Sequence, residues 1–140
     1  MALPDPEPGL VIQYGYLWRH EAERGLENAR YPRPCAVVVA HRRLSSDAVE
    51  VVVAPFTTQP PPAERSAVEV PPRVRRSLGL TERTWAMMDE VNVFTWPGFD
   101  LEPNASGEIA WDHVPPAFHA QLKAGLLAAA REGRLSRTPR

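Results

Sequence analysis

Arginines carry most of the chemical potential of this chain. Arg19, Arg24, Arg30 and Arg33 fall in and just after one polar stretch, and Arg73, Arg75 and Arg76 form a second cluster. A guanidinium fork matches two phosphate oxygens at once and stays charged at any working pH, so phosphate is the first ligand to consider. The second cluster reads equally as a solvated helix end. Thr57 and Thr58 add hydroxyls at the end of a Val-rich run. Trp18, Trp85 and Trp96 could stack nucleobases, as aromatics do for single strands, with Trp96 beside Pro97-Gly98 the more exposed candidate. Metal and thiol chemistry are poorly served. Cys35 is the single cysteine, so neither an intramolecular disulfide nor a multi-cysteine zinc site can form. His41, His113 and His119 share no ligand spacing with one another or with Cys35. No metal and no cofactor are expected.

The formal charge of −1 excludes a broadly basic nucleic-acid surface, so any polyanion site must be a local arginine cluster. With 140 residues and a hydrophobic fraction of 44%, one domain with a real core is expected. The opening residues have no basic and apolar signal regions, and no stretch approaches a membrane span, so the expected compartment is cytoplasmic. Sixteen prolines argue for short strands and rigid connections.

The elements that must position these groups follow from periodicity. Residues 1–8 read as a flexible Pro-rich leader, 9–132 as one domain and 133–140 as a basic tail. Strands are expected over Leu10–Tyr16, Cys35–Ala40 (apolar on both faces, with Cys35 a small core residue), Ala48–Ala54 halted by Pro55, Ser66–Val70 and Trp85–Phe94. Between the first two lies a long charged loop whose Glu21–Arg24 core could make a helical turn. Pro71–Gly79 reads as a short helix with Gly79 at its left-handed C-cap. From Trp96 to Ser106 the chain reads as broken and irregular. Pro115–Glu132 is the one long helix, with Phe118, Leu122, Leu126 and Ala129 on one face and Gly133 as its cap. The expected class is therefore mostly β with minor α: about five to seven strands, a short helix and a C-terminal helix.

The order of these segments resembles the PemK/MazF toxin family. A Gly-led strand is followed by a long polar loop and Arg33-Pro34 before a Val-rich strand; a second Val-rich strand ends in Ala54-Pro-Phe-Thr57. Downstream come Val68-Glu-Val70, a helix ending in Leu78-Gly-Leu80, and a strand with Asp89-Glu90. The approach to Arg33, Asn28-Ala-Arg-Tyr-Pro32, differs from the family's small-residue pattern, and Glu90-Val-Asn92 stands where Gln-Ile-Arg is usual.

The resemblance implies an SH3-like barrel, a homodimer, and a metal-independent endoribonuclease that cleaves single-stranded mRNA and is silenced by a cognate antitoxin. It carries the catalytic arginine onto Arg33 and the catalytic hydroxyl onto Thr57, with Thr58 as the neighbouring candidate. Arg19, His20, Arg24 and Arg30 would flank the RNA in loop 1, and Trp96 would be available for stacking. Cleavage by 2′-hydroxyl attack needs a proton acceptor, which a guanidinium cannot be. His20 and Glu21 are the nearest such groups in sequence. Other readings stay open: Arg33 as a loop anchor, Thr57 as a strand-end residue, a non-catalytic SH3-like module that binds RNA or protein, or a gyrase-directed toxin.

Overall fold

The computed structural model describes residues 3–29 and 31–140. In chain order they form β1 (Leu10–Tyr14), α1 (Arg19–Glu23), β2 (Arg33–Arg42), β3 (Val49–Thr57), β4 (Ala67–Glu69), α2 (Pro72–Ser77), β5 (Trp85–Met87), β6 (Glu90–Thr95), β7 (Ala110–His113), α3 (Pro116–Arg131) and β8 (Ser136–Pro139). The chain is mostly β, with the expected short helix and C-terminal helix, and the eight strands among the described residues belong to one sheet. The order is β4-β5-β3-β2-β1-β7, with β6 branching from β3 and β8 pairing β6. Every pairing is antiparallel except β6 with β8. No helix among the described residues is long and apolar enough to cross a membrane.

β2 and β3 form the backbone of the sheet. β2 buries both faces, Cys35 and Val37 on one and Ala36 and Val38 on the other, as its unbroken apolar run requires. Cys35 and Val37 join Leu10, Ile12, Tyr14, Val51, Val53 and Phe94 in one half of the core. The other half is closed by α3, whose Phe118, Leu122 and Leu126 meet Val11, Ala36, Val38 and Val91. The buried face of α3 is the one read from the 3.6-residue spacing, and Ala129 is buried with it.

Several elements differ from the sequence reading, among them β7, which was not read as a strand. β3 does not stop at Pro55. It leaves β6 after Val53 and takes up β5 at Phe56, and Pro55 lies in the interval with no second neighbour, where a missing N–H is tolerated. Trp85–Phe94 is two strands because the chain bends at Met88-Asp89, where Arg65 grips Asp89 through Nε and Nη2 at 2.7 and 2.8 Å. The segment read as a basic tail folds: Ser136–Pro139 aligns with Glu90–Val93 as β8. Arg140 then reaches inward, its side chain only 6% exposed, to Gly15 O at 2.7 Å, Asn92 Oδ1 at 3.0 Å and Asp100 Oδ1 at 3.2 Å. The end of the Pro-rich leader is tied as well, through Glu7 and His113 Nε2 at 3.0 Å.

Gly79 earns its place in a specific way. At φ +77° it ends α2 with two bonds, Gly79 N–H to Arg76 O and Leu80 N–H to Arg75 O, both 3.0 Å. This paired closure is a Schellman motif, which only a residue tolerant of the left-handed region completes cheaply. It throws residues 79–82 across the end of β3, where they become one wall of a groove.

Candidate functional site: a groove at the end of the central ladder

The β2–β3 register decides where Arg33 and Thr57 meet. Cys35 pairs with Pro55 in an antiparallel ladder. Arg33 lies two residues before Cys35 and Thr57 two residues after Pro55, so both fall at the same end of the ladder and on the same face. They line one groove of about 390 Å³, together with Thr58, Gln13 of β1, Trp111 of β7, and Tyr31-Pro32 on the approach to β2. Residues 79–82 and Thr84 close the remaining side.

Arg33 is held from two directions. Its guanidinium carbon sits 4.8 Å from the Trp18 ring centroid, a cation–π arrangement, and Nη1 makes a long 3.5 Å contact with Phe56 O. The Nε atom is buried without a hydrogen-bond partner among the described residues. That atom is walled off from solvent, so any bonds to a ligand must come from the outer guanidinium nitrogens, of which Nη1 makes only the long contact to Phe56 O. Thr57 is nearly buried, and its Oγ1 accepts the Gln59 N–H at 3.1 Å. Because that bond uses a lone pair, the hydroxyl proton stays available for a phosphate oxygen. Thr58 is exposed at the same rim.

Loop 1 contributes less than its sequence suggests. Arg19 pairs with Glu23 at 2.9 Å on the α1 surface. Arg19 and His20 line a different, wider depression together with Arg65, Asp89, Glu90 and Arg134. Arg24 is exposed just after α1 and does not line the groove. Glu21 is buried and accepts the Trp18 N–H at 3.0 Å, so it caps α1 rather than facing a substrate. Arg30 lies outside the described residues. Trp96 packs near Phe94, with centroids 6.2 Å apart, at a remove from the groove.

The substituted Glu90-Val-Asn92 triplet has a clear occupation. Asn92 is fully buried and clasps the backbone of Leu17, accepting its N–H at 2.9 Å and donating to its carbonyl at 2.8 Å. Glu90, also buried, accepts from the Tyr16 hydroxyl and the Arg19 N–H at 3.0 Å each and from Arg65 at 2.8 Å. Burial and this neighbouring carboxylate push the Tyr16 phenol well above its ordinary pKa. The pair anchors the root of loop 1, immediately beside the tryptophan on which Arg33 stacks.

Gln13, Tyr31, Glu82 and Trp111 are among the groove residues not singled out from sequence. Tyr31 is 67% exposed, and the Trp111 indole donates to Gln13 Oε1 at 3.1 Å. Glu82 supplies the groove's carboxylate, on a turn fixed by the Thr84 hydroxyl donating to Glu82 O at 2.8 Å. Among the described residues no group of three His, Cys, Asp or Glu side chains is placed to hold a metal ion. Comparison with protein-family models gives no match to this chain, and comparison with curated proteins gives none either.

Proposed function

We propose that this groove binds single-stranded RNA and cleaves it without a metal, as a toxin of the PemK/MazF type. One observation carries the reading: Arg33, whose outer guanidinium nitrogens make only one long contact, and Thr57, with a free hydroxyl proton, line the same groove. Tyr31 and Trp111 add two aromatic surfaces on which bases can stack.

The chemistry divides among named groups. Arg33 and the Thr57 hydroxyl bind the non-bridging phosphate oxygens and stabilise the charge that grows on them. The Glu82 carboxylate takes the proton from the 2′-hydroxyl as the O2′–P bond forms. The P–O5′ bond then breaks, and O5′ leaves with a proton delivered from the acid formed in the first step or from water. The products are a 2′,3′-cyclic phosphate and a 5′-hydroxyl end. Glu82 takes the role for which His20 and Glu21 were considered, because neither of those lines the groove.

The same reading gives the protein a cytoplasmic site of action, a second copy of itself and an antitoxin. Val39 and Leu127, both exposed beside Lys123 and Arg137, offer an apolar depression for an acidic partner segment. A non-catalytic RNA-binding module is the second reading, favoured by Asn92 being engaged with Leu17 in place of a groove arginine.

The test is purified protein incubated with mRNA in EDTA. Cleavage by wild type that falls on the order of 10²–10³-fold in Arg33→Ala supports the assignment. Equal cleavage by both removes it, binding without cleavage selects the module, and growth arrest with intact RNA points to a gyrase-directed toxin.

A further inference from the structure

Arg33 is oriented by an aromatic ring rather than by an acid. Among the described residues no carboxylate pairs with it. Its guanidinium lies over the face of Trp18, the guanidinium carbon 4.8 Å from the ring centroid. A carboxylate in that place would offset the charge and occupy N–H donors, whereas an indole face attracts the cation and occupies none. The charge of Arg33 is therefore left for a phosphate.

The ring is itself fixed. It meets Tyr16 edge-on, with centroids 5.1 Å apart and planes at 70°, and the Tyr16 hydroxyl is tied to Glu90 at 3.0 Å. Leu17, the preceding residue, is clasped by Asn92 through both of its backbone groups. Trp18 packs half-buried against the core and does not line the groove. The buried polar groups of β6 thus set the ring, and the ring sets the guanidinium.

We infer that Trp18 is the positioning residue for Arg33, acting on the reaction only through it; this rests on the groove being a site of RNA cleavage. The indole is then a platform for the arginine and not for a base.

The test is a double-mutant cycle, read by single-turnover cleavage of a labelled RNA in EDTA. Trp18→Leu removes the ring and is expected to slow cleavage about tenfold. Trp18→Phe keeps an aromatic face and is expected to recover most of that loss. In the Arg33→Ala background neither substitution is expected to slow cleavage further, because the group they orient is gone. The bond to Glu21 comes from the Trp18 backbone N–H, so both variants retain it. Circular dichroism confirms that each variant is folded, and Trp18→Met serves as the ring-free variant if the Leu variant is not. An equal fall in both backgrounds, no fall in the wild-type background, or a Phe variant no faster than the ring-free one overturns the positioning role while leaving the cleavage reading intact. Absence of cleavage by wild type overturns the cleavage reading and the positioning role with it.

Discussion

Arg33 and Thr57 stand at matching positions on antiparallel strands, each two residues from the Cys35–Pro55 pair and both facing one groove. Their proximity follows from register, and a one-residue slip would send them to opposite faces of the sheet. The hydroxyl can be tested apart from its neighbour. Thr57→Val is expected to lower kcat for RNA cleavage about 10²-fold, whereas Thr58→Val changes it only a few-fold, and Thr57→Ser retains most activity. Single-turnover cleavage of a labelled RNA distinguishes the three.

Glu82 shares the groove with both. Glu82→Gln preserves shape but cannot accept a proton, so kcat is expected to fall by about 10²–10⁴-fold with little change in KM. A change confined to KM would make Glu82 a binding group instead.

Asn92 anchors the root of loop 1 through two bonds to Leu17, both wholly buried. Asn92→Ala leaves a backbone donor and acceptor unpaired, a loss of about 3 kcal/mol. Urea unfolding is expected to show a lower midpoint with an unchanged slope.

The Arg65–Asp89 pair gives a dependence on acid pH. Burial alone would raise the Asp89 carboxyl, but the Arg65 fork and the Ser66 N–H outweigh it and hold the pKa below the ordinary 3.8. A carboxyl depressed in the folded state contributes stability above its unfolded value, and that contribution is lost as pH falls through the folded value. The urea midpoint of wild type is therefore expected to drop as the solution is acidified below about pH 4. Arg65→Ala should be less stable at neutral pH and lose part of this acid sensitivity.

Much of the frame was legible because burial imposes a period. The two-faced apolar run of β2 and the 3.6-residue stripe of α3 can be read directly, and Gly79 marks the end of α2. β7 and β8 escaped for the converse reason. Ala-Trp-Asp-His and Ser-Arg-Thr-Pro bury too little to show alternation, and their pairing is settled by tertiary fit. The groove was half legible. Arg33 and Thr57 sit at the ends of readable strands, whereas Gln13, Glu82 and Trp111 converge on them from β1, the α2 turn and β7. Loop position also put Glu21 among the proton-acceptor candidates; its capping bond became visible only once α1 was seen to start at Arg19.

The double membership of β3, joined to β6 at one end and β5 at the other, leaves the candidate hydroxyl rooted in the centre of the sheet. Thr57 itself pairs with Trp85 of β5. On the proposed reading an RNA strand would meet a fixed anvil on that side, with the exposed turn that follows α2 along the same groove.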